Sequence, residues 1–161
     1  MIRSPRDEDF AALAEITNHY ITSTAIHFGY DPVSGEALRE QCLLGARFPW
    51  LVAEAGGVVV GYAKASVWRD RAAYQWTTEV GLYLDAGSRG RGIGTALYAE
   101  LLAELGRRDF RSAIAGITLP NDPSLALHRK LGFVSVGTVR EAGYKHGIWH
   151  DIEFWQKRFT S

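Results

Sequence analysis

The stretch Arg89-Gly-Arg-Gly-Ile-Gly-Thr-Ala-Leu-Tyr98 holds the residues whose types and spacing most directly imply chemistry. Gly90, Gly92 and Gly94 alternate along it, and Arg89 and Arg91 flank the first of them. Glycine leaves backbone N–H groups free to approach an anion, and a helix N-terminus adds about half a positive charge. A strand-to-helix turn of this composition holds phosphate. Which phosphate-bearing molecule it holds decides what the chain does.

Two common phosphate motifs are excluded by spacing. A P-loop needs Gly-x-x-x-x-Gly-Lys-Ser/Thr, but Gly87 to Gly92 is followed by Ile93. The dinucleotide fingerprint needs Gly-x-Gly-x-x-Gly. The sixth residue counted from Gly90 is Thr95, and from Gly92 it is Leu97. The loop also lies mid-chain, after a hairpin, and not in an opening βαβ unit.

The surrounding pattern supplies the elements that must position this loop. Met1 to Ser4 reads as a short strand, and Asp7, Glu8 and Asp9 open a helix carrying Phe10, Leu13, Ile16, Thr17 and Tyr20 at helical spacing. Ser34 is expected to cap a second helix running to about Ala46. Trp50 to Ala55 and Val58 to Val67 form a hairpin through Gly56-Gly57, and Trp76 to Asp85 leads into the glycine loop. Ile93, Leu97, Leu101 and Leu105 mark an amphipathic helix from Gly92 to Arg108. Ser112 to Leu119 is a strand. A helix follows with Asp122 as its expected N-cap and Pro123 at its first position, ending near Gly132. Phe133 to Val139 and Ile148 to Phe159 are the last strands. Hairpins in the first half and a strand–helix–strand crossover in the second predict an α/β domain with a mixed sheet and helices on both faces.

Composition bounds the alternatives. The 161 residues fit one domain, 1–161, with 47% apolar and 22% charged residues. Basic and acidic side chains number 18 each, so no net field favours nucleic acid or a membrane surface. Cys42 is the only cysteine, which excludes an internal disulfide and multi-cysteine metal sites and makes a cytoplasmic setting the default. No apolar run approaches the ~20 residues of a membrane span. His146 and His150 are four apart, but Gly147 and aromatic flanks argue against a zinc helix, so no metal is expected.

Arg89, Gly92 and Gly94 match the pattern Arg/Gln-x-x-Gly-x-Gly/Ala at a strand-to-helix junction. This resembles the pyrophosphate loop of the GCN5-related N-acetyltransferases (GNAT). Thr78-Glu-Val-Gly-Leu-Tyr-Leu-Asp85 resembles the family's splayed fourth strand, and Asn121 to Phe133 resembles the segment on the far side of coenzyme A. Ile21 to Ala25, Tyr74 to Glu79, Leu119 to Ser124 and Ala142 to Asp151 resemble the phosphinothricin/methionine sulfoximine acetyltransferase branch. The resemblance therefore spans nearly the whole chain. It implies a twisted mixed sheet of about six or seven strands flanked by about four helices, with acetyl-CoA as donor and a homodimeric state as in relatives.

What the resemblance implies for single residues follows. Leu82, Tyr83 and Leu84 hold the acetyl and pantetheine arm, and Gly90, Arg91, Gly92, Ile93, Gly94 and Thr95 hold the pyrophosphate, with charge from Arg89 and Arg91. Asn121 and Ser124 are cofactor contacts. Glu79 is the general base, a role that needs burial or a water relay because an ordinary carboxylate titrates near ~4.3. His128 stands where many relatives have a proton-donating tyrosine, and an imidazole near ~6.5 suits a proton role. Arg69, Asp70, Arg71 and Tyr74 form a loop before Glu79, and its two arginines can grip an amino acid's α-carboxylate. Phe28 and Trp76 are read first as core aromatics, as is the tail from Tyr144 to Phe159.

The expected activity is acetyl transfer to the α-amine of a small amino acid such as methionine sulfone, methionine sulfoximine or phosphinothricin. Transfer is direct, because Cys42 is distant in sequence from every site segment. A peptide or protein acetyltransferase would need an open groove instead of an arginine-gated pocket. A non-catalytic acyl-CoA-binding regulator could dispense with Glu79 and His128.

Overall fold

Ile2–Arg3 (β1), Trp50–Ala55 (β2), Val58–Val67 (β3), Thr77–Leu84 (β4), Ser112–Thr118 (β5), Val134–Lys145 (β6) and Ile148–Arg158 (β7) form one seven-stranded sheet in the order β1-β2-β3-β4-β5-β7-β6. The computed structural model describes Met1–Thr160. Four helices accompany the sheet: Phe10–Ser23 (α1), Gly35–Leu44 (α2), Ile93–Arg107 (α3) and Asp122–Lys130 (α4). Neighbouring strands are antiparallel except β4 and β5, which α3 joins as a parallel crossover.

Alternation along β2 and β3 sends side chains to two cores. Trp50, Val52 and Tyr62 pack with Phe10, Leu13, Ile16 and Tyr20 of α1 and Leu38 of α2. Ala53, Ala63, Ala65 and Val80 face the other way, onto Leu97, Tyr98, Leu101 and Leu105 of α3, and Leu125 and Leu127 of α4 join that side. The small alanines let α3 lie close to the sheet. No helix among the described residues is long and apolar enough to cross a membrane.

One feature of the topology makes a site. β4 and β5 pair only through Thr77–Ser112, Thr78–Ala113 and Glu79–Ile114, although β4 continues to Leu84 and β5 to Thr118. Beyond Glu79 the strands part, leaving backbone N–H and C=O groups of both without a sheet partner across the gap.

Four sequence expectations are corrected. The N-cap of α4 is Asn121, whose side-chain oxygen accepts from the Ser124 N–H, so Asp122 is the first helical residue. β6 runs to Lys145 and not to Val139. Its register shifts between Val139 and Gly143, with Glu141 at φ 49°, and the shift breaks the alternation by which a strand is read. The tail is only partly core: Trp155 is buried, whereas Tyr144, Ile148 and Trp149 are exposed. Trp76 is also exposed and so is not a core aromatic.

Candidate active site

The gap between β4 and β5 opens into a cavity of about 860 Å³. The side expected to take the acetyl donor is made largely of backbone. Gly90 and Gly92 have φ of +76° and +77°, and a Cβ built on either meets nothing within 4 Å. The left-handed conformation requires glycine there, and the space in front of the loop is free. Gly92 is the N-cap of α3 but offers no side-chain cap, so the first N–H groups of the helix have no partner from it. Gly94 serves packing instead: a Cβ would come within 2.8 Å of Leu84 Cδ1.

The remaining donor-side residues fall as follows. Leu82, Tyr83, Leu84, Arg89, Gly90, Gly92, Gly94, Thr95, Asn121 and Ser124 line the cavity. Ile93 packs beneath it against the α3 core, and Arg91 is exposed and outside the lining. Arg89 donates to the Tyr20 hydroxyl at 2.9 Å, and that hydroxyl donates to the Leu84 carbonyl at 2.5 Å. The loop is thereby tied to α1.

The side expected to take the acceptor is made of side chains. Glu79 sits at the last β4–β5 pair, and cross-strand register puts it on one face with Ser66, Lys64 and Tyr83. It is partly buried, and this burial pushes its carboxyl above the ordinary value, while Lys64 and Arg69 pull it back down. Over this face lies the segment after α1, with Ile26, His27 and Phe28 in the lining. The segment is pinned to the β6–β7 hairpin. Lys145 donates to the His27 carbonyl, Tyr30 donates to the Tyr144 carbonyl, and His146 lies 3.2 Å from the Thr24 carbonyl. Phe28 meets His150 at 6.1 Å between ring centroids. Ile152 and Phe154 of β7 close the far wall.

His128 lies at the end of α4, buried, lining the cavity and flanked by Tyr98 and Phe133. Its Nδ1 is 2.7 Å from the Ser124 carbonyl, and its Nε2 is 3.0 Å from the Tyr98 hydroxyl. A carbonyl only accepts, so Nδ1 carries the hydrogen. Burial lowers the His128 pKa, which keeps the ring neutral, and Nε2 then accepts from the Tyr98 O–H.

Not every sequence candidate meets here. Arg69, Asp70, Arg71 and Tyr74 are exposed and outside the lining; Arg69 stacks over Trp68 at 5.0 Å and reaches Glu79 only through its field. Phe28 is in the lining and Trp76 is not. Cys42 is half-buried against the α1–α2 core with its thiol pushed up by burial, away from the cavity. Sequence reasoning missed Lys64, Ser66, His27 and Tyr98. Lys64 had a legible signal: one lysine between Ala63 and Ala65 inside an apolar strand.

The model of the Acetyltransferase (GNAT) family matches residues 12–133. The chain belongs to this family. A phosphinothricin N-acetyltransferase of Streptomyces viridochromogenes is 45% identical over 159 residues, 98% of this chain and 87% of that protein. The structure of a ribosomal-protein-alanine N-acetyltransferase from Brucella melitensis superposes with TM-score 0.95 at 37% identity, covering 98% of this chain and 99% of that one. A phosphinothricin acetyltransferase from Sinorhizobium meliloti, in complex with acetyl-CoA, gives TM-score 0.93 at 36% identity, covering 99% and 88%.

As a GNAT enzyme the chain is an acetyl-CoA-dependent N-acetyltransferase, and its donor side fits that molecule. The open φ-positive glycines and uncapped N-terminus of α3 suit a pyrophosphate. The unpaired edges of β4 and β5 suit the amide-bearing arm. Among the described residues no cluster of His, Cys, Asp and Glu is arranged to hold a metal ion.

Proposed function

We propose that the enzyme acetylates the α-amine of a small amino acid or close analogue, of the phosphinothricin, methionine sulfoximine or methionine sulfone kind. The observation that carries this is the segment Ile26–Phe28, held to the β6–β7 hairpin through the His27 carbonyl, which lines the same cavity as Glu79 and narrows the room beside it to that of a small acceptor. The 45% identical relative is named for such an acceptor.

Bound acetyl-CoA supplies an acetyl group activated as a thioester. Glu79 takes the proton of the acceptor's ammonium, directly or through water, which frees the nitrogen lone pair. The raised carboxyl pKa improves it as a base at neutral pH. Transfer is direct in a ternary complex, since the only cysteine lies outside the cavity. The freed nitrogen forms its C–N bond as the thioester C–S bond breaks, and the second proton it sheds in becoming an amide balances the one taken up by the departing thiolate. For His128 the geometry supports a positioning role: with both nitrogens engaged and the ring neutral, it fixes Tyr98 and the floor of the cavity. Arg69 and Arg71 act at the rim, drawing an anionic acceptor inward. No contact of Asp70 or Tyr74 supports a role in binding.

The same reading includes a homodimer, supported by exposed Val134, Val136, Val139 and Trp149 on the β6–β7 edge, and a reducing compartment, suited to the lone Cys42. Acetyl-CoA turnover on a panel of free amino acids and short peptides tests the acceptor. Methionine sulfoximine, methionine sulfone or phosphinothricin is expected among the preferred substrates. Activity confined to peptides or proteins would overturn it; the Brucella melitensis neighbour is named for a ribosomal-protein alanine.

A further inference from the structure

Lys64 is a half-buried cation in the cavity lining on the acceptor side, and the proposed mechanism leaves it unused. It projects from β3 opposite Gly81, on the same face as Glu79, which lies one cross-strand pair further along. Lys64 lines the cavity, and the Tyr83 ring lies over its glycine partner, 3.5 Å from where a Cβ on Gly81 would stand. Its ammonium rests 5.0 Å from the ring centre of the buried Trp50. An aromatic face attracts a cation but accepts no conventional hydrogen bond, so the desolvated ammonium is only partly compensated. Burial accordingly lowers the Lys64 pKa, and the field of Glu79 opposes that. Among the described residues Lys64 forms no ion pair. The two lysines of the β6–β7 hairpin differ, for Lys145 and Lys157 donate to the carbonyls of His27 and Leu131.

His27 lines the same cavity, within reach of the field of Lys64. Its Nδ1 accepts from the Gly29 N–H at 2.9 Å, so the neutral ring carries its hydrogen on Nε2. Burial lowers the His27 pKa and the field of Lys64 adds to that, which keeps the ring neutral. Among the described residues Glu79 is the only acidic one in the lining. The acceptor side thus offers two donors without acceptors and a single carboxylate reserved for the amine.

We propose that Lys64, with the His27 Nε2–H in the same lining, forms an anion subsite for an acidic oxygen group of the acceptor and selects acidic over neutral amines. This rests on the amino-acid reading above. The group is either the α-carboxylate or a side-chain acid, and a set of three acceptors separates them: phosphinothricin, which has both; methionine sulfone, which has only the α-carboxylate; and the α-amide of methionine sulfone, which has neither. At saturating acetyl-CoA, Lys64→Met is expected to lower kcat/KM for the acidic acceptors about tenfold or more beyond its effect on the amide, the size of one charge-assisted contact. Loss with both acids assigns the α-carboxylate to Lys64. Loss with phosphinothricin alone assigns the side-chain acid. Equal loss on all three, or none on any, overturns the subsite.

Lys64→Arg keeps the charge and should keep the preference; an Arg variant as impaired as Met would make the effect one of packing and overturn the proposal. Binding of phosphinothricin without acetyl-CoA, followed by tryptophan fluorescence, reads the subsite without turnover and should weaken in Lys64→Met. Lys64-dependent binding with no turnover of any amine would leave the subsite standing and remove the amino-acid reading. Turnover of all three without Lys64 dependence would do the reverse.

Discussion

The two halves of the cavity are built from different materials. The donor half is backbone: left-handed glycines, the uncapped start of α3 and the parted edges of β4 and β5. The acceptor half is side chain: Glu79 and Lys64 from two strands, His27 and Phe28 from the segment after α1, Phe154 from β7. A backbone cradle recognises a part of the ligand that never varies and tolerates most side-chain changes. A side-chain pocket is retuned by one substitution. The comparison predicts that donor-side variants fail in acetyl-CoA binding and acceptor-side variants fail in turnover or selectivity, with little crossover.

Glu79→Gln should show the largest effect. It keeps shape and removes the base, so kcat is expected to fall by ~10²-fold or more. In the wild type, kcat is expected to rise with pH as Glu79 deprotonates, and because burial raises its pKa this limb should lie above the ordinary carboxylate value of ~4.3. The limb should vanish in the variant, while calorimetry shows acetyl-CoA affinity unchanged. A retained limb would remove Glu79 from the role.

Gly92→Val attacks the other half. A β-branched residue at φ +77° is strained, and its side chain occupies the open space before the N–H donors of α3. Acetyl-CoA affinity is expected to drop about a hundredfold, from backbone strain together with lost charge-assisted contacts. Circular dichroism should show the fold retained. Normal affinity would show that the cradle lies elsewhere.

The same contrast explains what the sequence made legible. Most of the donor half sits in one continuous stretch, Thr77 to Thr95, where spacing carries its geometry, so strand, loop and helix could all be read with ends off by only one or two residues; the β5 edge, Asn121 and Ser124 join it from further along the chain. The acceptor half converges from residues 26 to 154, and nothing in spacing places His27 in one lining with Lys64. Arg69 and Arg71 were legible as charges near Glu79 in sequence; a turn carrying Ala72–Tyr74 then leaves them outside the lining. The β6 break failed for a similar reason, because a register shift repairs in space what alternation loses in sequence.

Tyr98→Phe tests the floor shared by both halves. It leaves the buried Nε2 of His128 without a donor, which costs about 1–3 kcal/mol of stability. The sign with pH follows from linkage. His128 has a lowered pKa in the fold, so wild-type stability falls as pH drops below ~6.5, where only the unfolded chain takes up the proton. Without the Tyr98 donor the neutral ring is less favoured and the folded pKa rises. The deficit of the variant in urea unfolding should therefore be largest above pH ~6.5 and narrow toward acid. A constant deficit across that range would separate Tyr98 from the protonation of His128.

The smallest effect separates the rim from the interior. Arg69 is exposed, stacked on Trp68, and acts only through its field. An exposed charge contributes about 0–1 kcal/mol, so Arg69→Ala should raise the KM of an acidic acceptor by at most about fivefold. That rise should fade as salt shortens the screening length below the ~8 Å of physiological strength. A contact inside the cavity is screened much less, so the Lys64→Met loss should survive the same salt. If instead Arg69→Ala gives a larger loss that salt does not reduce, the loop from Arg69 to Tyr74 folds onto the acceptor during binding. The boundary between rim and pocket would then move outward by that loop.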